Sequence, residues 1–173
     1  VYLELQDASG AKSSVLLKGL GTTEQFYQVA LSLFSGVDLH TIASINLVVK
    51  HGVMPDTGTL SVRLGDIPYT PEVLHNSNLT SADVSHLSGL LQAVGFASKA
   101  PNGVGSAALT QLSGSELSLA YDVTNAESFG GVIATFDDYG NVPVQSQDLS
   151  SLTNLVLGLK LSAGTGDVYL ELQ

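Results

Sequence analysis

The chain has no cysteine and no tryptophan, one methionine and only five prolines in 173 residues. Without cysteine there is no disulfide framework, no thiolate metal site and no cysteine nucleophile. Basic residues are scarce as well: six Lys and Arg face sixteen Asp and Glu, a formal charge of −10, and the six do not cluster. Such a surface repels nucleic acid and anionic membranes, so neither is an expected partner, and divalent cations are its natural counter-charge. No apolar run approaches the roughly 18 residues of a membrane-crossing helix, so no membrane insertion is expected in this segment. The sequence starts directly inside a strand pattern, with neither a charged nor an apolar leader region, so any signal peptide or anchor is expected to lie outside it. What is present is 44% hydrophobic residues, enough for a sizeable core, with many Gly, Ser, Thr, Val and Leu. This balance predicts an all-β protein of the extracellular space or cell surface.

One stretch occurs twice. Val1-Tyr2-Leu3-Glu4-Leu5-Gln6 returns unchanged as Val168-Tyr169-Leu170-Glu171-Leu172-Gln173. Val1, Leu3 and Leu5, and in the second copy Val168, Leu170 and Leu172, alternate with polar residues, the period of a strand with one buried face. The offset of 167 residues, position 168 against position 1, predicts one full period of a tandem array followed by the first strand of the next unit. An engineered or accidental duplication is the alternative.

Along the chain, Asp7-Ala8-Ser9-Gly10 predicts a type I turn and hence a hairpin from the first strand into Ser13 to Gly19. Alternation from Phe26 to Phe34 predicts a strand with Tyr27, Val29, Leu31 and Leu33 facing a core. Asp38 and Asp148 each head a short helical turn, their carboxylates accepting from backbone two or three residues on. Strands are predicted to follow at Ile45 to Lys50 and Asn154 to Leu161. Further strands are expected at Thr59 to Ile67, ended by Pro68, and at Ser106 to Leu112, Glu116 to Val123 and Gly130 to Phe136. Between them, Val84, Leu87, Leu91 and Val94 recur at helical spacing behind a Thr80 or Ser81 cap, which predicts a connecting helix over 81–97.

The segments Val1 to Gly10, Phe26 to Leu31, Asp38 to Ile42 and Gly58 to Val62 together resemble the C-terminal half of galactose-binding-like jelly rolls, the fold of many carbohydrate-binding modules. Glu116 to Val123 and Phe129 to Val132 resemble that family's opening strands, which here follow instead of preceding. The resemblance implies a jelly-roll β-sandwich of about eight to ten antiparallel strands with one connecting helix. It divides the chain into residues 1–70, a C-terminal half; 71–104, a connector; and 105–173, an N-terminal half ending in the repeated strand. Family order implies that the first strand lies between Asn154 to Leu161 and Ser13 to Gly19. Members that bind polysaccharide stack sugar rings on exposed aromatics, yet Phe and Tyr make up only 6% here. Tyr2 and Tyr121 are the candidate sugar platforms.

Asp137, Asp138 and Asn141 gather side-chain oxygens around Gly140, a candidate calcium site whose plainer alternative is a solvated hairpin tip. The resemblance adds Asp66 as a calcium ligand. His40, His51, His75 and His86 show no metal-ligand spacing, and no Gly-x-Ser-x-Gly elbow or phosphate loop occurs, so no enzymatic activity is expected. The function expected is that of a structural repeat unit of an extracellular filament or long surface protein, joined to copies of itself head-to-tail through the repeated strand. The alternative is a tandem carbohydrate-binding module of a surface adhesin or secreted enzyme, with polysaccharide as partner.

Overall fold

A computed structural model describes residues 1–64, 92–99, 103–112, 116–136 and 143–165 of the chain. The repeated segment forms strand β1 (Tyr2–Asp7), and the turn after it is the one its residues demand. Gly10 N donates to Asp7 O at 3.0 Å, Asp7 N donates to Ala11 O at 3.0 Å, and Gly10 takes a φ of +88°, which a side chain would strain. β2 (Lys12–Leu16) returns antiparallel to β1.

β3 (Gln25–Ala30) is shorter than alternation predicts. Leu31 N donates to Thr153 O, and Phe34 N then donates back to Leu31 O at 3.1 Å, closing a 3-10 turn over Leu31–Leu33. The turn rotates the next side chains off the strand face, so Leu33 is 58% exposed where a core position was expected. The Asp38 turn forms as anticipated: its carboxylate accepts from His40 N at 3.0 Å, and Thr41 N donates to Asp38 O at 3.1 Å. It delivers the chain into β4 (Ile42–Lys50).

β5 (Thr57–Arg63), β6 (Gln92–Ala97), β7 (Ser106–Gln111), β8 (Glu116–Asp122), β9 (Phe129–Thr135) and β10 (Asn154–Leu161) follow. Asp148 precedes β10 as Asp38 precedes β4, accepting from Ser150 N at 2.8 Å. β6 corrects the expected helix. Residues 92–97 of the segment 81–97 pair in register with β9, from Gln92 opposite Thr135 to Ala97 opposite Gly130, and the remainder of that segment lies outside the described residues. Gly95 disfavours helix, and the ladder against β9 satisfies backbone groups of residues 92–97 while seating Phe96 over Gly131. The last part of the expected connector is thus a strand of the sandwich.

All described pairings are antiparallel. One sheet has the order β2-β1-β4-β9-β6 and the other β3-β10-β5-β8-β7, so the chain is an all-β sandwich. Leu3, Leu5, Ile45, Leu47, Val49, Val132 and Ala134 from the first sheet meet Val29, Leu60, Val62, Leu119, Leu155, Leu157 and Leu159 from the second in one core. Both halves of the sequence supply strands to both sheets. β1 sits between β2 and β4, which corrects the neighbour implied by family order: β10 lies in the opposite sheet, between β3 and β5. The pairing of β1 with β4 is stabilised by the outward pair Glu4 and Asn46, opposite each other in the register.

Candidate functional site

β1 has two faces and two uses. Its inner residues Val1, Leu3 and Leu5 are 1%, 0% and 0% exposed, and the strand is hydrogen-bonded on both sides, from Tyr2 opposite Leu16 on β2 to Tyr2 opposite Val48 on β4. The expected inter-unit residues of the first copy are therefore buried in this sandwich. Val168, Leu170 and Leu172 lie outside the described residues.

The outer face of the same sheet carries a groove of about 410 Å³. Cross-strand register builds it in two rows. One row runs Tyr2, Val48, Gly131, Phe96 across β1, β4, β9 and β6, and the next runs Ser14, Glu4, Asn46, Ile133 across β2, β1, β4 and β9. Gly131 is what makes the first row concave: a Cβ there would run into Leu47 O and come within 2.7 Å of Phe96 Cζ, so the aromatic ring occupies the space a side chain would fill. Phe96 also packs tilted against Phe129, with centroids 6.4 Å apart. At the opposite wall Lys50 Nζ stands 4.8 Å from the Tyr2 ring centroid.

The polar end of the groove is charged and tightly bonded. Glu4 Oε1 accepts from Asn46 Nδ2 at 2.7 Å and lies 3.2 Å from Lys12 Nζ. Asn46 is only 2% exposed, and its Oδ1 is a buried acceptor with no hydrogen-bond partner among the described residues. Burial pushes the Lys50 ammonium below its ordinary value, with Glu4 opposing that shift. The groove thus offers the partly buried rings of Phe96 and Phe129 beside an ion-paired carboxylate, with the unsatisfied Asn46 carbonyl oxygen buried beneath them. That combination suits a neutral, polyhydroxylated ligand with an apolar face.

The two tyrosines singled out by sequence fare differently. Tyr2 lines the groove but is 7% exposed beneath Lys50, so it forms wall more than open platform. Tyr121 is turned inward: it belongs to the core, is 5% exposed, and its hydroxyl is pushed up to about 12 by burial and by the nearby Asp56 charge. A ring packed on all sides has no face for a sugar, which corrects its candidacy. The other aromatic rings that line the groove are Phe96 and Phe129. Sequence reasoning missed them because they are 33 positions apart and meet only through the pairing of β6 with β9.

Compared with models of known families, with curated proteins and with solved structures, the chain shows no significant match.

Asp66, Asp137, Asp138 and Asn141, the calcium candidates, lie outside the described residues, and among the described residues no group of three or more His, Asp and Glu could hold a metal. His40 sits 3.5 Å from Asp148 on the surface, and His51 Nδ1 is 2.9 Å from Val123 O and 3.3 Å from Asp56. A second cleft, about 310 Å³, lies beside the Asp7 turn. Asp7 is 4% exposed, and burial works against its charge. Hydrogen bonds from Asp38 N, Ser9 Oγ, Ser9 N and Ala11 N at 2.6 to 3.1 Å outweigh that penalty and hold the carboxyl below the ordinary aspartate value. Those bonds are all internal, so Asp7 is a structural tie between the β1–β2 turn and the Asp38 turn. Among the described residues no helix is long and apolar enough to cross a membrane.

Proposed function

We propose that the chain is a non-catalytic structural repeat unit of an extracellular filament or long surface protein, a jelly-roll-like sandwich joined head-to-tail to copies of itself through the repeated strand. The observation that carries this is the position of β1. A strand hydrogen-bonded on both edges, with three apolar residues at 0–1% exposure, fills a slot that one sandwich provides once, yet the chain encodes that strand twice. A second identical strand has the same faces and the same pairing code, so it fits an equivalent slot in a neighbouring unit, as in donor-strand addition between protein subunits. Donor and acceptor surfaces differ, so the contact propagates as an open chain and not a closed dimer. The test is negative-stain imaging of a protein made of several such units in tandem. Uniform rods whose length scales with unit number are expected, and flexible beads with no fixed spacing would remove the proposal.

The groove favours a second role, binding of polysaccharide by the same unit. Phe96 and Phe129 supply apolar area beside the Glu4 carboxylate, which can accept from a sugar hydroxyl. Titration calorimetry against a panel of soluble polysaccharides tests it. Binding to at least one of them that is lost in Phe96→Ala and Phe129→Ala is expected, and an absence of heat across the panel would leave the structural role alone.

A further inference from the structure

We infer that the groove and the cleft beside the Asp7 turn form one binding surface for a neutral polysaccharide whose units keep two adjacent hydroxyls free, and that the Glu4–Lys12 pair between them reads those hydroxyls. The inference rests on the sugar-binding role proposed for the groove, and names the class of polymer and the residues that select it. The two hollows are neighbours on one sheet face. Side chains two positions apart on a strand share a face, so the groove residues Glu4, Asn46 and Ile133 are followed along β1, β4 and β9 by the cleft residues Gln6, Ser44 and Thr135. β9 spans this surface from Phe129 in the groove to Thr135 in the cleft, roughly 20 Å at the usual rise of a strand. A ligand that uses both hollows is several sugar units long and lies along the strands.

The boundary between the hollows carries the chemistry. Lys12 stands opposite Gln6 in the register, level with the cleft, yet its ammonium reaches back to Glu4 Oε1 at 3.2 Å, so its side chain lies over that boundary. Asn46 Nδ2 donates to the same oxygen at 2.7 Å and holds the carboxylate in place. Among the described residues both partners of the Glu4 carboxylate use Oε1, which leaves Oε2 to accept from a ligand, while the Lys12 ammonium keeps N–H donors beyond the one that faces Glu4. The Lys12 and Glu4 side chains are 44% and 21% exposed, so both are within a ligand's reach. An acceptor and a donor side by side match two neighbouring hydroxyls of a sugar ring, one donating to Glu4 Oε2 and the other accepting from Lys12 Nζ. The pair cancels its own charge, and the Lys50 ammonium is held over the Tyr2 ring, so the surface suits a neutral polymer. A sugar unit without adjacent hydroxyls leaves one member of the pair desolvated and unmatched, which weakens binding.

The test is titration calorimetry of the full 173-residue chain with defined hexasaccharides. Cellohexaose, xylohexaose and mannohexaose carry adjacent free hydroxyls on every unit, and the inner units of laminarihexaose carry none. At least one of the first three should bind about tenfold or more tightly than laminarihexaose, and Lys12→Met and Glu4→Gln should each weaken that binding by about tenfold. Lys12→Met is the decisive variant, because an exposed side chain is replaced and an unchanged melting curve shows the fold intact. Gln6→Ala should weaken the hexasaccharide and leave the matching disaccharide unaffected. The inference is overturned, with the groove's sugar-binding role left standing, by any of three results: laminarihexaose or hexagalacturonate binding as tightly as the best neutral hexasaccharide, Lys12→Met binding normally where Phe96→Ala does not bind, or Gln6→Ala binding the hexasaccharide unchanged. Absence of heat with every hexasaccharide would remove the groove's role and the inference with it.

Discussion

Asp7, Tyr121 and Gly131 show how individual residues govern this fold. Asp7 receives four hydrogen bonds from two separate turns. Its depressed folded value means that its contribution is complete above about pH 4 and is lost as the pH falls through the lower folded value. Asp7→Ala should cost about 2–4 kcal/mol near neutral pH in urea titrations, and the variant should lose less stability than the unchanged protein between pH 4 and pH 2. Tyr121 acts at the other end of the scale. Its folded value is raised to about 12, as is that of half-buried Tyr27, so the stabilisation is complete below the free tyrosine value near 10 and is lost as the pH climbs toward 12. Melting temperature against pH should fall steeply over that interval, and Tyr121→Phe should flatten the fall, with tyrosinate absorbance reporting one fewer late ionisation. Gly131 is required by space, since Gly131→Ala would press a methyl into Leu47 O and the Phe96 ring. A loss of about 1–3 kcal/mol is expected by chemical denaturation.

At the scale of elements, alternation was a good guide where a strand buries one face. β8 ends one residue before its expected bound and β9 is shifted back by one residue at both ends, while β10, buried at every position but Lys160, has the bounds expected of it. The Asp-headed turns before β4 and β10 were legible because a carboxylate bonding backbone two residues on is a local event. Two features were not legible for the converse reason. β3 stops at Ala30 because of a bond to Thr153, more than a hundred residues away, and 92–97 is a strand because β9 lies beside it. Spacings of three and four residues around Val94 fit a helix equally well until that partner is known. The groove escapes sequence reading similarly, since its lining comes from five strands and only register unites it. The central place of β1 yields its own expectation. Leu3→Ala should cost about 2–5 kcal/mol when the second copy is disabled by Leu170→Asp and Leu172→Asp, because a cavity opens under a strand that is locked on both edges. Amides of β1 and β4 should exchange with deuterium far more slowly than those of the edge strands β2, β6 and β7.

For the molecule as a whole, what composition foretold was class and charge. An acidic, cysteine-free chain rich in small and β-branched residues builds two antiparallel sheets over one apolar core. Which strands neighbour which was beyond composition, because both sheets draw on both halves of the chain. β10 shows what this entails, for it is the strand that joins β3 to β5 and belongs to the end of the sequence. During synthesis residues 1–64 emerge before the strands of this chain that pair with them: β3 and β5 wait for β10, and β4 waits for β9. From residue 64 to residue 161 a ribosome needs roughly 5 to 20 s at ordinary elongation rates. Throughout that interval the nascent chain presents the open edges of β3 and β5, and until β9 is made that of β4, an incomplete template exposed to neighbouring chains on the same message. Protection of stalled nascent chains from protease should appear abruptly once β10 has cleared the ribosome, and not in two steps.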